Sequence, residues 1–279
     1  MKTLAGMPAK TCGICPRACR LGEGQSGNCR ARRNIGGRIV SLAYGRPCAV
    51  ALDPIEKKPL AMFHPGSRIL SLGSWGCNMR CPWCQNDHIS RGPVRSVHVT
   101  PEQIIERALE LREYGNIGIA YTYNEPLIMP EFIRDTAFPA HEKGLKNVLV
   151  TNGMGDPAML RDLLPAIDAL NIDLKTIRAD HYAKIGGDLG TVLENIRQSA
   201  ATAHVEITTL IVPGFNDSEA EMEELAGTLA AIDPELTLHV TRFFPAGEML
   251  TTPPTPVRTV YRLADTARKH LRYVYEGNV

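Results

Sequence analysis

Cys77-Asn78-Met79-Arg80-Cys81-Pro82-Trp83-Cys84 puts three thiols into eight residues, directly after the apolar run Arg68-Ile69-Leu70-Ser71-Leu72-Gly73. Iron–sulfur cubanes are usually held by four cysteines. A CxxxCxxC loop stops one ligand short, so it can hold three corners of a 4Fe–4S cluster and leave the fourth iron open to a substrate or cofactor. The competing reading is a structural zinc, with His88 completing a Cys3His set. Structural zinc favours two separated ligand pairs over four ligands crowded into a dozen residues, so the cluster is preferred.

Beyond residue 67 the chain alternates short apolar runs with helical patterns, the signal of repeated β–α units on a parallel sheet. The pattern predicts strands near 68–73, 116–122, 146–151, 168–174, 204–212 and 236–242. Helices are predicted near 101–114, 130–143, 157–166, 189–202, 218–231 and 256–269. Thr100-Pro101 with Gln103, Asp156-Pro157, Ser218 with Glu221, and Thr255-Pro256 supply N-terminal caps or first turns. Six units are too few for a complete eight-fold barrel. Ligands of such sheets collect at the carboxyl ends of strands, and each distinctive motif falls at one.

The cysteine spacing, with Trp83 before the last cysteine, resembles the signature of the radical S-adenosylmethionine (SAM) superfamily. The resemblance implies an α/β fold, a partial (β/α)6 TIM-like barrel over 68–279, beside a small amino-terminal cysteine-rich module in 1–67. It also implies that SAM chelates the open iron through its amino and carboxylate groups. One electron from the cluster then breaks the sulfonium C–S bond, giving a 5′-deoxyadenosyl radical that abstracts hydrogen from an unidentified substrate.

Residues at later strand ends fit that chemistry. Tyr121-Thr122-Tyr123-Asn124-Glu125-Pro126 occupies the place of the family's Gly-Gly-Glu-Pro segment, with Tyr123 and Asn124 replacing the glycines. Glu125 is the acceptor expected for the SAM ammonium, with Asn124 beside it; a carboxylate capping the turn before Pro126 is the plain alternative. Asp173 and Lys175, in Asn171-Ile172-Asp173-Leu174-Lys175, resemble a strand end of glycyl-radical-enzyme activases. There Lys175 pairs with the SAM carboxylate while Asp173 orients Lys175, touches ribose or contacts a metal; an ordinary salt bridge at the barrel mouth competes. Asn152 offers a donor and an acceptor to SAM, or belongs to a plain turn with Gly153 at positive φ. Val212-Pro213-Gly214-Phe215-Asn216-Asp217 is either an activase-like loop or a loop ending in a capping box. His239 and Arg242 end the sixth strand as weaker candidates.

Cys12, Cys15, Cys19 and Cys29 form a second set of four soft ligands, enough for zinc or a second 4Fe–4S cluster. The spacings lean toward iron–sulfur. Cys48 reads as a buried apolar residue. Of eight cysteines in 279 residues, seven fall in these two clusters, so reduced, metal-bound thiolates are expected rather than disulfides.

Net charge is +1, but residues 1–50 hold nine Lys or Arg against Glu23 alone, giving +8 there and −7 over the rest. Part of that excess can offset the negative charge of a thiolate site; the remainder suits an acidic partner, with nucleic acid disfavoured. No apolar run reaches the length of a membrane span and residues 1–15 lack a signal-peptide core, so a cytoplasmic protein is expected.

Together with Pro54-Ile55-Glu56-Lys57-Lys58-Pro59-Leu60 and the terminal Tyr273 to Val279, the motifs resemble the radical SAM enzymes of the AmmeMemoRadiSam system, relatives of pyruvate formate-lyase activating enzymes. Larger members continue past Gly277-Asn278-Val279 into a further cysteine-rich tail. The resemblance implies a flavodoxin- or ferredoxin-type electron donor and a possible partner protein of the same system. Two alternatives stand beside hydrogen abstraction from a substrate: a glycyl-radical-enzyme activase acting on a partner protein, and a zinc-stabilised module binding RNA or protein.

Overall fold

The computed structural model describes residues 8–279. The stretch 1–15 read for a leader therefore begins outside the described residues. Two antiparallel ribbons come first, β1 (Lys10–Thr11) with β2 (Arg20–Leu21), and β3 (Arg32–Ile35) with β4 (Arg38–Ser41). An eight-stranded sheet follows in chain order: β5 (Ala49–Pro54), β6 (Arg68–Gly73), β7 (Asn116–Tyr121), β8 (Lys146–Thr151), β9 (Ala169–Asp173), β10 (His204–Ile211), β11 (Thr237–Arg242) and β12 (Tyr273–Gly277). β6 through β12 run parallel, and β5 runs antiparallel on the β6 edge. β5 and β12 are the sheet's two ends, so the barrel is open.

β6 to β11 are the six expected strands, and the partial TIM-like α/β barrel is the observed fold. β12 lies in residues read only as a signature. β5 escaped notice because an edge strand of half-exposed residues ending in Asp53-Pro54 carries little apolar signal. It also draws residues 49–54 into the barrel sheet, upstream of residue 67.

The helices are α1 (Asp87–Ser90), α2 (Pro101–Glu110), α3 (Pro130–Glu142), α4 (Pro157–Leu163), α5 (Ala179–Lys184), α6 (Leu189–Ala200), α7 (Glu219–Ile232) and α8 (Val257–Ala267). α1 and α5 lie outside the six predicted helices. Thr100 and Gln103 close a full capping box on α2, Asp156 caps α4 through the amides of Ala158 and Met159, and Ser218 caps α7. Two expected caps differ. The Glu221 carboxylate turns away from its cap to accept from the Thr176 hydroxyl, and the Thr255 hydroxyl donates to the Ile211 carbonyl (2.5 Å), so α8 starts without a side-chain cap. No helix among the described residues is long and apolar enough to cross a membrane.

Both faces of a parallel sheet are covered, so its strands are nearly continuously apolar. Outward residues such as Leu70, Leu149, Leu170, Ile172, Ile207 and Leu238 pack in the helical layer. Inside, Ile55, Leu60, Ile69, Ala120, Val148 and Ala169 fill the lower lumen. Burying a side chain such as Leu60 stabilises by roughly 1.5–3 kcal/mol.

Residues 55–62 lie across that floor. Asn171 donates to the Pro59 carbonyl (2.8 Å), and the fully buried Glu206 accepts from the amides of Ala61 (2.9 Å) and Met62 (2.8 Å). Glu206 also meets His204 (2.9 Å) and His239 (2.6 Å). His239 is thus a satisfied structural residue, stacked on Tyr275. Arg242 donates to the Thr255 carbonyl (2.7 Å) and lies over Phe244. Neither lines the lumen cavity.

Candidate functional site

A cavity of about 470 Å³ opens at the carboxyl ends of the parallel strands. Its walls hold Cys77, Cys81 and Cys84 from the loop after β6, and Tyr123, Asn124 and Glu125 from the loop after β7. Asn152 follows β8, and Asp173 and Lys175 come from the end of β9. The cysteines, Asn124, Glu125, Asn152, Asp173 and Lys175 expected to hold the cofactors share this one cavity, whereas the Val212–Asp217 loop, like His239 and Arg242, does not line it.

One of the three thiols, Cys77, has donors directed at its sulfur. The Cys77 sulfur accepts from the Met79 amide (3.4 Å) and the Asn152 side-chain amide (3.6 Å), and Cys84 meets the Ser90 hydroxyl (3.7 Å). Burial pushes the Cys77 thiol well up and Cys81 to about 11. Such buried thiols become thiolates only when bound iron takes up the charge, and donors to the sulfurs tune that iron. The site therefore fits a cluster. His88, the fourth arm of the zinc alternative, is exposed and does not line the cavity.

Glu125 is buried and heavily hydrogen-bonded. One carboxylate oxygen accepts from Leu127 N (2.9 Å) and the Thr151 hydroxyl (2.6 Å), and the other from Asn152 N (2.7 Å). Each oxygen has two acceptor positions, so the second oxygen retains one. Burial pushes this acid up to about 7 against those three donors, with Asp173 adding to the rise. Glu125 also caps the turn at Pro126, so the plain reading and the ligand reading coexist.

Lys175 meets Asp173 at 2.7 Å. Burial alone would lower the lysine; Asp173 and Cys81 outweigh it and keep the ammonium charged. Asn216 accepts from Val212 N (2.8 Å) and donates to the carbonyls of Lys175 (2.8 Å) and Leu210 (2.9 Å). The Val212–Asp217 loop thereby fixes the backbone under Lys175.

The two asparagines serve differently. The Asn124 side chain bridges Ser74 N (2.9 Å) and the Gly76 carbonyl (3.0 Å), bracing the cysteine loop. Asn152 bonds Cys77 and the Asn78 side chain (3.0 Å). Gly153 has the positive φ expected of it, +71°. Cys48 is half-buried rather than buried, and its thiol donates to the Ser74 carbonyl (2.8 Å).

Sequence reasoning did not assign roles to Asp53, Lys58 and Tyr123. Tyr123 has φ +68°, a left-handed conformation natural for the glycine it replaces and costly for an aromatic residue. Its ring packs on Gly73, where a Cβ would lie 2.7 Å from Cδ2, and its hydroxyl donates to Asp53 (2.6 Å). Buried Lys58 pairs with Asp53 (2.8 Å) and lies 4.5 Å from the Tyr123 ring centroid. Burial raises the Asp53 acid, but hydrogen bonds from Lys58, Tyr123 and Lys57 outweigh it and hold it far below the usual range. Pro54 to Leu60 was visible as a motif, yet only the fold shows it reaching the cavity.

A partial parallel barrel with a three-thiol loop ending its first parallel strand, and carboxylate and ammonium groups at later strand ends, defines a class of barrel enzyme built to hold an open cubane. Residues 74–227 match the family described as Radical SAM superfamily, and the chain belongs to it. Membership implies binding of SAM and an iron–sulfur cluster, and the family's members are enzymes, which sets aside the zinc-stabilised binding module. The chain is 41% identical over 278 residues to an uncharacterised protein of Methanocaldococcus jannaschii, covering 96% of this chain and 81% of that one. It is 28% identical to the benzylsuccinate synthase activating enzyme of Thauera aromatica, over 63% of this chain and 55% of that enzyme. With the GTP 3′,8-cyclase of Peptoclostridium acidaminophilum it shares 33%, over 52% of this chain and 46% of that enzyme. The chain thus spans only about half the length of these two enzymes. Pyruvate formate-lyase activating enzymes are also relatives, that of Escherichia coli at 28% over 58% of this chain and 68% of that enzyme. Among solved structures, a radical SAM methyltransferase from Sphaerobacter thermophilus superposes with TM-score 0.57 at 19% identity, covering 77% of this chain and 67% of that one, which supports the fold.

Proposed function

We propose that this chain is a SAM-cleaving enzyme, of oxidoreductase type, that holds a 4Fe–4S cluster on Cys77, Cys81 and Cys84 and SAM in the lumen beside it. The observation that carries this reading is the meeting of those thiols with Glu125 and Lys175 in one cavity. When bound, the pair supplies a 5′-deoxyadenosyl radical that takes hydrogen from a substrate. Glu125 receives the SAM ammonium on its remaining acceptor position. Lys175, oriented by Asp173, meets the carboxylate. Asn152, which donates to the Cys77 sulfur, and Asn124, which keeps the cysteine loop in place, line the cavity beside SAM's polar groups. The closed lumen floor excludes water from below. Residues 1–67 act as a module that supplies this floor and a second cysteine set, and 68–279 form the catalytic core.

Protein reconstituted anaerobically with iron and sulfide is expected to be brown and, with SAM and dithionite, to release 5′-deoxyadenosine; Cys81→Ala abolishes the release. A colourless, zinc-loaded protein inert to SAM overturns the reading.

A glycyl-radical-enzyme activase of the AmmeMemoRadiSam system is the second reading, favoured by the relatives named as activating enzymes. It requires a partner protein that gains an EPR doublet when mixed with the reduced, SAM-loaded chain.

A further inference from the structure

The second cysteine set is not remote from the barrel. Cys12, Cys15, Cys19 and Cys29 line one enclosed cavity of about 20 Å³, and Asn78 lines it with them. Asn78 belongs to the catalytic loop, immediately after Cys77. Its side-chain oxygen accepts from Asn152, which also donates to the Cys77 sulfur. Asn78 therefore borders the four-cysteine cavity directly, and two hydrogen bonds through Asn152 join it to the Cys77 sulfur.

The backbones meet as well. Gly76 has φ +92°, and a Cβ there would collide with the Cys29 carbonyl oxygen. Arg17 Nε donates to the Asn78 carbonyl (2.5 Å), and Asp156 N donates to the Ile14 carbonyl (2.9 Å). The loop carrying the four cysteines is thus fixed to the turns that carry Cys77 and Asn152. On its outer side, Cys19 borders an open groove with Arg17 and Arg20, and Lys10, Arg20, Arg30, Arg33 and Arg38 are exposed in the same module.

We infer that Cys12, Cys15, Cys19 and Cys29 hold a 4Fe–4S cluster that is the entry port for the electron consumed at the Cys77–Cys81–Cys84 site, and that the basic rim docks an acidic one-electron carrier. This deepens the proposed SAM-cleaving reading and rests on it. One electron passes from a reduced carrier of flavodoxin or ferredoxin type, which leaves oxidised by one electron, to the four-cysteine site. One electron then passes inward from the four-cysteine cavity through Asn78 and Asn152 to Cys77, and no bond or proton changes hands. Four closed ligands suit this role because an electron port needs no open coordination position. The positive rim supplies the steering that a negatively charged carrier requires.

The test uses the full chain. Reconstituted wild type is expected to bind about eight irons, and Cys12→Ser/Cys15→Ser about four, with loss of one reduced-cluster EPR signal, the signal that SAM leaves unperturbed. That variant keeps dithionite-driven SAM cleavage, since a small reductant reaches the catalytic site directly, and loses cleavage driven by reduced flavodoxin. Arg20→Glu/Arg33→Glu leaves both cysteine sets intact. It lowers the flavodoxin-driven rate about tenfold at low salt and leaves the dithionite-driven rate unchanged. Zinc in place of iron at the four-cysteine site, or flavodoxin-driven rates equal to wild type in both variants, overturns the inference. Failure of wild type to cleave SAM with dithionite overturns the SAM-cleaving reading instead, a result that the iron count and EPR signals keep separate.

Discussion

Glu125→Gln changes one atom of a carboxylate that already receives three protein hydrogen bonds and, in the proposed reading, a fourth from the SAM ammonium. Whichever way the new amide turns, its NH2 faces a backbone N–H, of Leu127 or of Asn152. Losing the charge-assisted bond costs about 1.5–3 kcal/mol, which weakens SAM binding about 10- to 150-fold. The pH dependence is the sharper test. With its acid pushed up to about 7, Glu125 is mostly protonated at pH 6 and mostly ionised at pH 8. Only the ionised form accepts a full ammonium contact, so SAM affinity in wild type falls about tenfold from pH 8 to pH 6, and Glu125→Gln removes the dependence. Anaerobic SAM titrations of the cluster's EPR signal at a series of pH values measure both quantities. A wild-type affinity flat across this range, or a Gln variant that titrates like wild type, refutes the role. The unliganded fold carries the same linkage with a definite sign. Glu125 is raised from 4.5 to about 7, so the folded chain holds a proton that the unfolded chain releases, and this group's contribution to stability declines as pH climbs through that window.

Thr151→Val removes the 2.6 Å donor to Glu125, so the midpoint of the SAM-affinity profile moves to higher pH; a profile that stays in place contradicts the hydrogen-bond account. Lys58→Met leaves Asp53 buried with only Lys57 and Tyr123 for partners, and should destabilise by about 3 kcal/mol in chemical denaturation. Adding Asp53→Asn should recover part of that loss, whereas additive losses argue that the ion pair is not the origin. Glu206 is held at about 2, because hydrogen bonds from His204, His239, Ala61 and Met62 outweigh burial. Its stabilisation is present above its ordinary value of 4.5 and is lost as pH falls toward 2, so Glu206→Gln should show a flatter acid-side stability profile.

The barrel was legible because its six central strands are buried on both faces and punctuated by capping residues such as Thr100 and Asp156. The edge strands were not, since β5 and β12 are each half-exposed and neither is flanked by helices on both sides. At the site, Cys77, Glu125 and Lys175 announced themselves through residue type and spacing. Local sequence could not show that Asn78 faces a second cysteine set, or that Lys58 reaches from the lumen floor to Tyr123. Those contacts are set by tertiary packing. Tyr123 illustrates the difference: as a replaced glycine it looked like a departure from the family pattern. In the fold it keeps glycine's backbone conformation and adds a hydroxyl that anchors Asp53.

The lumen floor also fixes an order of assembly. Pro59 is held by Asn171, 112 residues downstream, and Ala61 by Glu206, 145 residues downstream. Contacts so distant in sequence close late and slow folding. During synthesis the floor segment therefore emerges before the strands that receive it: its apolar residues gain partners one strand at a time, from Ile69 of β6 to Ala169 of β9, and the amides of Ala61 and Met62 wait for Glu206 until β10 has left the ribosome. The chain segment nearest the reaction chamber's base is among the first made and the last secured, and it is the stretch where a holdase or an early misfolding contact has the longest time to act.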